Sequence, residues 1–228
     1  MKKLALFFAV LTLLALPMTA GAAYISTGSI PITANSPGST EKVGFFDGTL
    51  EYFYDDADAS LGKLAVALTN TTPAAKGGFI TGFLMNNPGP IASIASYSFP
   101  NANWELMGLS NNGESANPFG KFDFGAALGG DFEGGGNPNF GIGVGATGNF
   151  SFNFSGANLN ALTTWSFIQA LSTDPASSYG PEFFVARFRG MNEPDPTSDK
   201  VPGNVVPLPG ALLLLGGGLV RLLAHRRQ

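Results

Sequence analysis

The chain of 228 residues has no cysteine, and its one histidine, His225, stands close to the C-terminus. Residues 24–205 therefore carry neither thiol nor imidazole. This excludes Cys–His and Ser–His–Asp nucleophiles, thiolate zinc sites and histidine-ligated metals in one step. Disulfides are excluded too, so stability must come from the core alone. Charge is also scarce: Asp, Glu, Lys and Arg make up 12% of the chain, about half the usual share. Residues 24–205 hold seven basic side chains (Lys42, Lys63, Lys76, Lys121, Arg187, Arg189 and Lys200) against sixteen acidic ones, a net charge of −9. Such a body cannot neutralise a run of phosphates, and nucleic acid is not an expected partner. No cofactor is expected, and no histidine- or thiolate-based metal site.

What is abundant is glycine, at 31 residues, and phenylalanine, at 20. Phe and other apolar residues recur with period two between clusters of Gly, Pro, Asn and Ser, which is the pattern of β-strands and turns. Leu50, Tyr52 and Tyr54 alternate with Thr49, Glu51 and Phe53; Leu64, Val66 and Leu68 alternate with Lys63, Ala65 and Ala67. Residues 78–86 are apolar on both faces, as a central buried strand should be. Phe140, Ile142, Val144 and Ala146 precede Thr147-Gly148-Asn149, and Phe150, Phe152 and Phe154 follow it. This pair of runs predicts a hairpin. Residues 182–189 give one more strand. Leu159, Leu162, Trp165 and Ile168 recur at three and predict one short helix within residues 158–171.

The fold class expected is all-β, an antiparallel β-sandwich or jelly-roll-like domain over residues 23–191. A Pro-rich linker over 192–205 is expected to follow it. A transmembrane barrel would also alternate Phe with small polar residues, but its spanning strands need about 9–11 residues and many runs here are shorter.

Both ends carry addresses. Lys2 and Lys3 precede an apolar run over residues 4–16, then Pro17 and Thr19-Ala20-Gly21-Ala22-Ala23. This reads as a signal peptide over residues 1–22, cleaved at the small residues Ala20 and Ala22. At the other end Val206-Pro207-Leu208-Pro209 leads into residues 211–220, which have no polar side chain, and then into Arg221, Arg226 and Arg227. A helix over 211–224 would be about 21 Å long, with the arginines placed to stop it at a cytoplasmic face.

The C-terminal composite resembles the PEP-CTERM sorting signal of Gram-negative bacteria, over residues 206–228. Leu208 stands where the motif's name-giving Glu would be, and Arg221 comes before the main basic cluster. The segment Ser198-Asp199-Lys200-Val201-Pro202-Gly203 is similar to the stretch that leads into such signals. The resemblance implies recognition of Val206, Pro207, Leu208 and Pro209 by an exosortase-type processing enzyme. It also implies membrane retention through the C-terminal transmembrane helix before processing, then a place at the cell surface or outside it, with exopolysaccharide or biofilm.

Four candidate sites lie in the body. Asp55, Asp56 and Asp58 occupy a turn that could collect oxygens around Ca²⁺, or simply suit a turn. Asp131 and Glu133, in the glycine-rich stretch 129–137, are the candidate carboxylate pair for glycoside hydrolysis. Trp104 and Trp165 are candidates for a sugar-stacking platform, against the ordinary use of aromatics as core. Asn70, Asn149 and Asn153 begin Asn-x-Ser/Thr triplets, which carry little information in a bacterial setting. The function expected is a non-enzymatic, exported surface or matrix protein, with a carbohydrate-binding module as the alternative.

Overall fold

A computed structural model describes residues 23–109, 112–192, 194 and 197–207. They form β1 (Tyr24–Ala34), β2 (Phe46–Asp55), β3 (Leu61–Asn70), β4 (Gly77–Met85), β5 (Ile91–Ser98), β6 (Trp104–Gly108) and β7 (Glu114–Ser115). Then come β8 (Lys121–Phe122), β9 (Phe124–Leu128), β10 (Ile142–Gly143), β11 (Thr147–Gly156), α1 (Thr164–Gln169), β12 (Phe184–Met191) and β13 (Ser198–Val205). The protein is all-β and antiparallel, as the alternation predicts.

One sheet runs in the order β5-β11-β3-β2-β1-β13-β12-β4-β9-β6, with β10 added beside β4, and β7 pairs with β8 apart from it. This sheet folds over on itself in a sandwich- or barrel-like way, and aromatic contacts show where its halves meet. Phe83 of β4 meets Phe150 and Phe152 of β11 at centroid distances of 4.8 and 6.1 Å. Phe124 of β9 meets Phe152 and Phe154 at 5.4 and 5.5 Å. Strands near opposite ends of the path thus share one core, and most contacts are edge-on, the arrangement aromatic quadrupoles favour. Each buried Phe contributes about 1.5–3 kcal/mol, which replaces the missing disulfides.

A second apolar cluster lies on the other face of the β12-β4-β9-β6 half. Leu84, Met107, Ala127 and Val185 are covered there by Ala116, Phe119, Phe122 and Phe132. This double coverage explains why β4 is apolar on both faces.

Three expectations need correction. Residues 140–146 and 147–156 form no hairpin: β10 has only two residues and pairs with β4, while β11 lies between β3 and β5. Long-range ladders on both edges of β11 outweigh the local turn signal. The short helix expected within residues 158–171 is present as the six residues of α1, after a 3-10 turn at Leu159–Ala161; what needs correction is the face that the period of three implied. Trp165 points outward from α1, 48% exposed, while Leu159, Leu162 and Ile168 are buried.

The third correction concerns residues 192–205, which are not a linker through their length. β13 occupies Ser198–Val205 and lies between β1 and β12 in the middle of the sheet, with Val201 fully buried. Pro202 is tolerated there because its carbonyl accepts from Asn35 N, just beyond the end of β1. The proline nitrogen faces the same side, where β1 pairing begins only at Gly203, so no ladder bond is lost.

Candidate functional site

β5 and β6 are the two ends of the sheet path, and residues 99–103 join them. The joining turn is built by Asn101. Its side-chain oxygen accepts from the Asn103 amide at 3.0 Å and its own carbonyl accepts from Trp104 N at 3.3 Å. The first bond is the Asx turn for which Asn is suited. Asn101 Nδ2 donates to the Phe140 carbonyl at 3.0 Å, tying the turn to the neighbouring loop.

A cleft of about 400 Å³ opens at this turn, lined by Tyr97, Phe99, Asn101, Ala102 and Trp104. The Tyr97 and Phe99 rings stack at 4.6 Å with 23° between their planes. Phe99 continues inward to Phe150 and Phe152 at 5.8 and 5.6 Å, and Trp104 meets Phe150 edge-on at 4.8 Å. An aromatic ladder therefore runs from the surface, where Tyr97 is 52% exposed, to Trp104 at 4%. Trp104 Nε1 is buried with no hydrogen-bond partner, although a buried indole N–H ordinarily finds one. None of the five lining residues is charged.

Of the two tryptophans singled out in the sequence, Trp104 thus lines a cleft but is not a surface platform, and Trp165 lies elsewhere on α1. Tyr97, Phe99 and Asn101 were missed by sequence reasoning. The available signal was a pair of aromatics two apart, followed at once by an Asn-rich turn and a tryptophan. A second cleft, of about 380 Å³, is lined by Asn87, Pro88, Gly89, Leu162, Ser166, Gln169 and Ala170 and contains no aromatic ring.

The aspartates of the calcium candidate serve their own turn. Asp55 is buried, and its Oδ1 accepts from the amides of Ala57 and Asp58 at 2.9 and 3.3 Å. Asp58 accepts from the Ser60 hydroxyl and amide at 2.6 and 2.9 Å, which holds its carboxyl below the usual value. Asp56 is exposed. Among the described residues no group of three or more potential ligands is placed to hold a metal.

The carboxylate pair is likewise committed. Glu133 accepts from Arg187 Nη1 and Lys200 Nζ, both at 2.7 Å, and Asp131 Oδ1 accepts from the Glu133 amide at 2.8 Å. These contacts pin the glycine-rich loop to β12 and β13. Asn70 is fully buried, donates to the carbonyls of Gly78 and Ile142 and accepts from Thr72 N, so it is no acceptor for a glycan. Asn149 and Asn153 sit in β11 between two paired strands, Asn149 exposed and Asn153 half-buried with Nδ2 on Ser96 Oγ.

At the C-terminal end Val206 follows β13 directly; its amide donates to the Pro31 carbonyl at 3.0 Å, and both Val206 and Pro207 are exposed. Ala20, Ala22, Leu208, Pro209, Arg221, Arg226 and Arg227 lie outside the described residues. Among the described residues no helix is long and apolar enough to cross a membrane. No protein-family model, curated protein or solved structure matches the chain.

Proposed function

We propose that this is an exported, non-enzymatic surface or extracellular-matrix protein. In this reading residues 1–22 are a signal peptide and the β-domain is a sandwich ectodomain. Residues 206–228 are a PEP-CTERM-like signal whose helix holds the chain in the inner membrane until an exosortase-type enzyme processes it. The observation that carries it is the C-terminal composite of Val206-Pro207-Leu208-Pro209, an apolar run and Arg221, Arg226 and Arg227. Its support from the fold is positional: β13 ends at Val205 and the first two motif residues are exposed, so an enzyme reaches them at the end of the strand by releasing the Val206 amide from Pro31. The acidic, disulfide-free body suits a spacer or adhesive unit among exopolysaccharide or biofilm components.

The test is the C-terminal mass of the native protein from surface, medium and membrane fractions. A body ending near residues 207–210 outside the membrane is the expected result. An intact Gln228 found in the inner membrane alone would make the protein a plain single-span anchored one and end the sorting reading.

The alternative, a carbohydrate-binding module, draws support from the aromatic cleft at the β5–β6 turn. Its calcium-assisted form draws no such support: Oδ1 of both Asp55 and Asp58 accepts from donors within the turn, and among the described residues no group of three or more His, Cys, Asp or Glu is placed to hold a metal.

A further inference from the structure

The geometry points to the cleft of Tyr97, Phe99, Asn101 and Trp104 as a binding site for one stretch of a neutral hexopyranose chain. This rests on the polysaccharide-facing part of the proposed function and is independent of the sorting route. Three features select that ligand.

The first is the wall. A pyranose presents a flat array of C–H groups, which packs on an aromatic face. Tyr97 offers such a face with its ring half-exposed and backed by Phe99 at 4.6 Å. Two stacked rings braced on Phe150 and Phe152 form a rigid support, so little ordering is needed on binding. A lone surface aromatic on a mobile loop would not have this property.

The second is the polar complement. Small-ligand sites combine apolar walls with a few fixed polar groups. The carboxamide of Asn101 is held in place by its bonds to Asn103 and Phe140. Trp104 Nε1 is a donor without a partner. Trp104 lines the cleft, so a bound sugar changes the surroundings of its indole, and binding should therefore change Trp104 emission.

The third is charge. No lining residue carries a charge, and the body around the cleft has a net charge of −9 over residues 24–205. An anionic polymer would be repelled and would find no cation to pair with in the cleft. A neutral chain suffers neither cost. Strand addition at this edge is disfavoured, because two register shifts interrupt the β5–β11 ladder and bulges of that kind spoil an edge for further pairing.

The test uses the full chain in a detergent without a sugar headgroup. Trp165→Phe leaves Trp104 as the reporting indole, and Trp165 is a surface residue away from the cleft. Cellohexaose, laminarihexaose, maltohexaose and mannohexaose are titrated by emission and by calorimetry, with an oligogalacturonate as the anionic probe. At least one neutral hexaose should give a saturable change with matching midpoints by both methods, and the oligogalacturonate should give none. Tyr97→Ala should weaken that binding by about tenfold or more with an unchanged melting temperature, and Tyr97→Phe should retain it.

No saturable binding of any of the four at millimolar concentration would overturn the inference. So would equal affinity in Tyr97→Ala, or oligogalacturonate binding as well as the neutral chains. A clipped C-terminus in a protein that binds no sugar would sink this inference alone. An unprocessed protein that binds would sink the sorting reading alone.

Discussion

Asp199 and Val43 stand 156 positions apart in sequence and meet through a 2.9 Å hydrogen bond from the Val43 amide to a buried carboxylate. The same oxygen accepts from Gly44 N at 3.0 Å and Ser39 Oγ at 3.3 Å; the other accepts from Thr40 Oγ1 and Glu41 N, both at 2.9 Å. Five donors converging on one carboxylate turn a costly buried charge into the anchor of the segment between β1 and β2. Hydrogen bonds to a charged group are worth about 1.5–3 kcal/mol each at most, and they are not additive.

Asp199→Asn replaces one acceptor oxygen by an NH₂ that faces donors on either side. The expected cost is about 3 kcal/mol, read as a lowered denaturant midpoint. Amide exchange should accelerate first at Glu41, Val43 and Gly44. A variant with wild-type stability and unchanged exchange at those amides would contradict the anchoring role.

β13 makes the end of the domain part of its middle. It is hydrogen-bonded to β12 over five register pairs and to β1 over three. A chain stopped after Thr197 loses that strand together with Asp199, whereas one stopped after Pro207 keeps every contact of the sheet. The short form should therefore fail to fold, and the long form should keep native near-ultraviolet circular dichroism and the emission of the buried Trp104. Folding of the short form would mean that β1 and β12 can pair without β13.

Much of this fold was legible because period two and burial agree along each strand. β3 alternates half-buried and buried residues from Leu61 to Asn70 as the sequence suggests, and β4 is buried on both faces. What misled was glycine, read as a sign of turns. Gly148 lies inside β11 opposite Leu68, not at a hairpin tip. Proline misled in the same way at Pro202, where the lost donor happens to face no partner. The cleft was the least legible part. Tyr97 and Phe99 look like any alternating pair until the fold brings Phe150 of β11 beneath Phe99 and Trp104.

Gly148 is glycine because of what lies above it. A Cβ there would stand 2.5 Å from Ile142 Cδ1 and 2.8 Å from its Cγ1, well inside van der Waals contact. Ile142 is buried and pinned by its pairing with Ile80. Gly148→Ala should destabilise by about 1–3 kcal/mol. Ile142→Val in the same chain should relieve part of that loss, a coupling that a double-mutant cycle measures. If Gly148→Ala is neutral or stabilising, the contact with Ile142 does not constrain the strand.

Glu182, just before β12, carries a carboxyl pushed up from 4.5 to about 7 by burial. Its backbone is bound, the amide to Ser172 Oγ and the carbonyl to Asn86 Nδ2, which fixes the point from which the side chain departs. A raised acid pKa means the folded state holds the proton more tightly than the unfolded chain. The folded protein then binds more protons between about pH 4.5 and 7, and stability contributed by this group falls as pH rises through that window. Above it, the full cost of a desolvated charge is present. Glu182→Gln removes the ionisation while keeping the shape. Its melting temperature should match the wild type near pH 4 and exceed it near pH 8, by an amount limited because the side chain is only half-buried. A difference of the same size at both pH values would show that the substitution acts through packing, and that the Glu182 carboxyl does not titrate in this range.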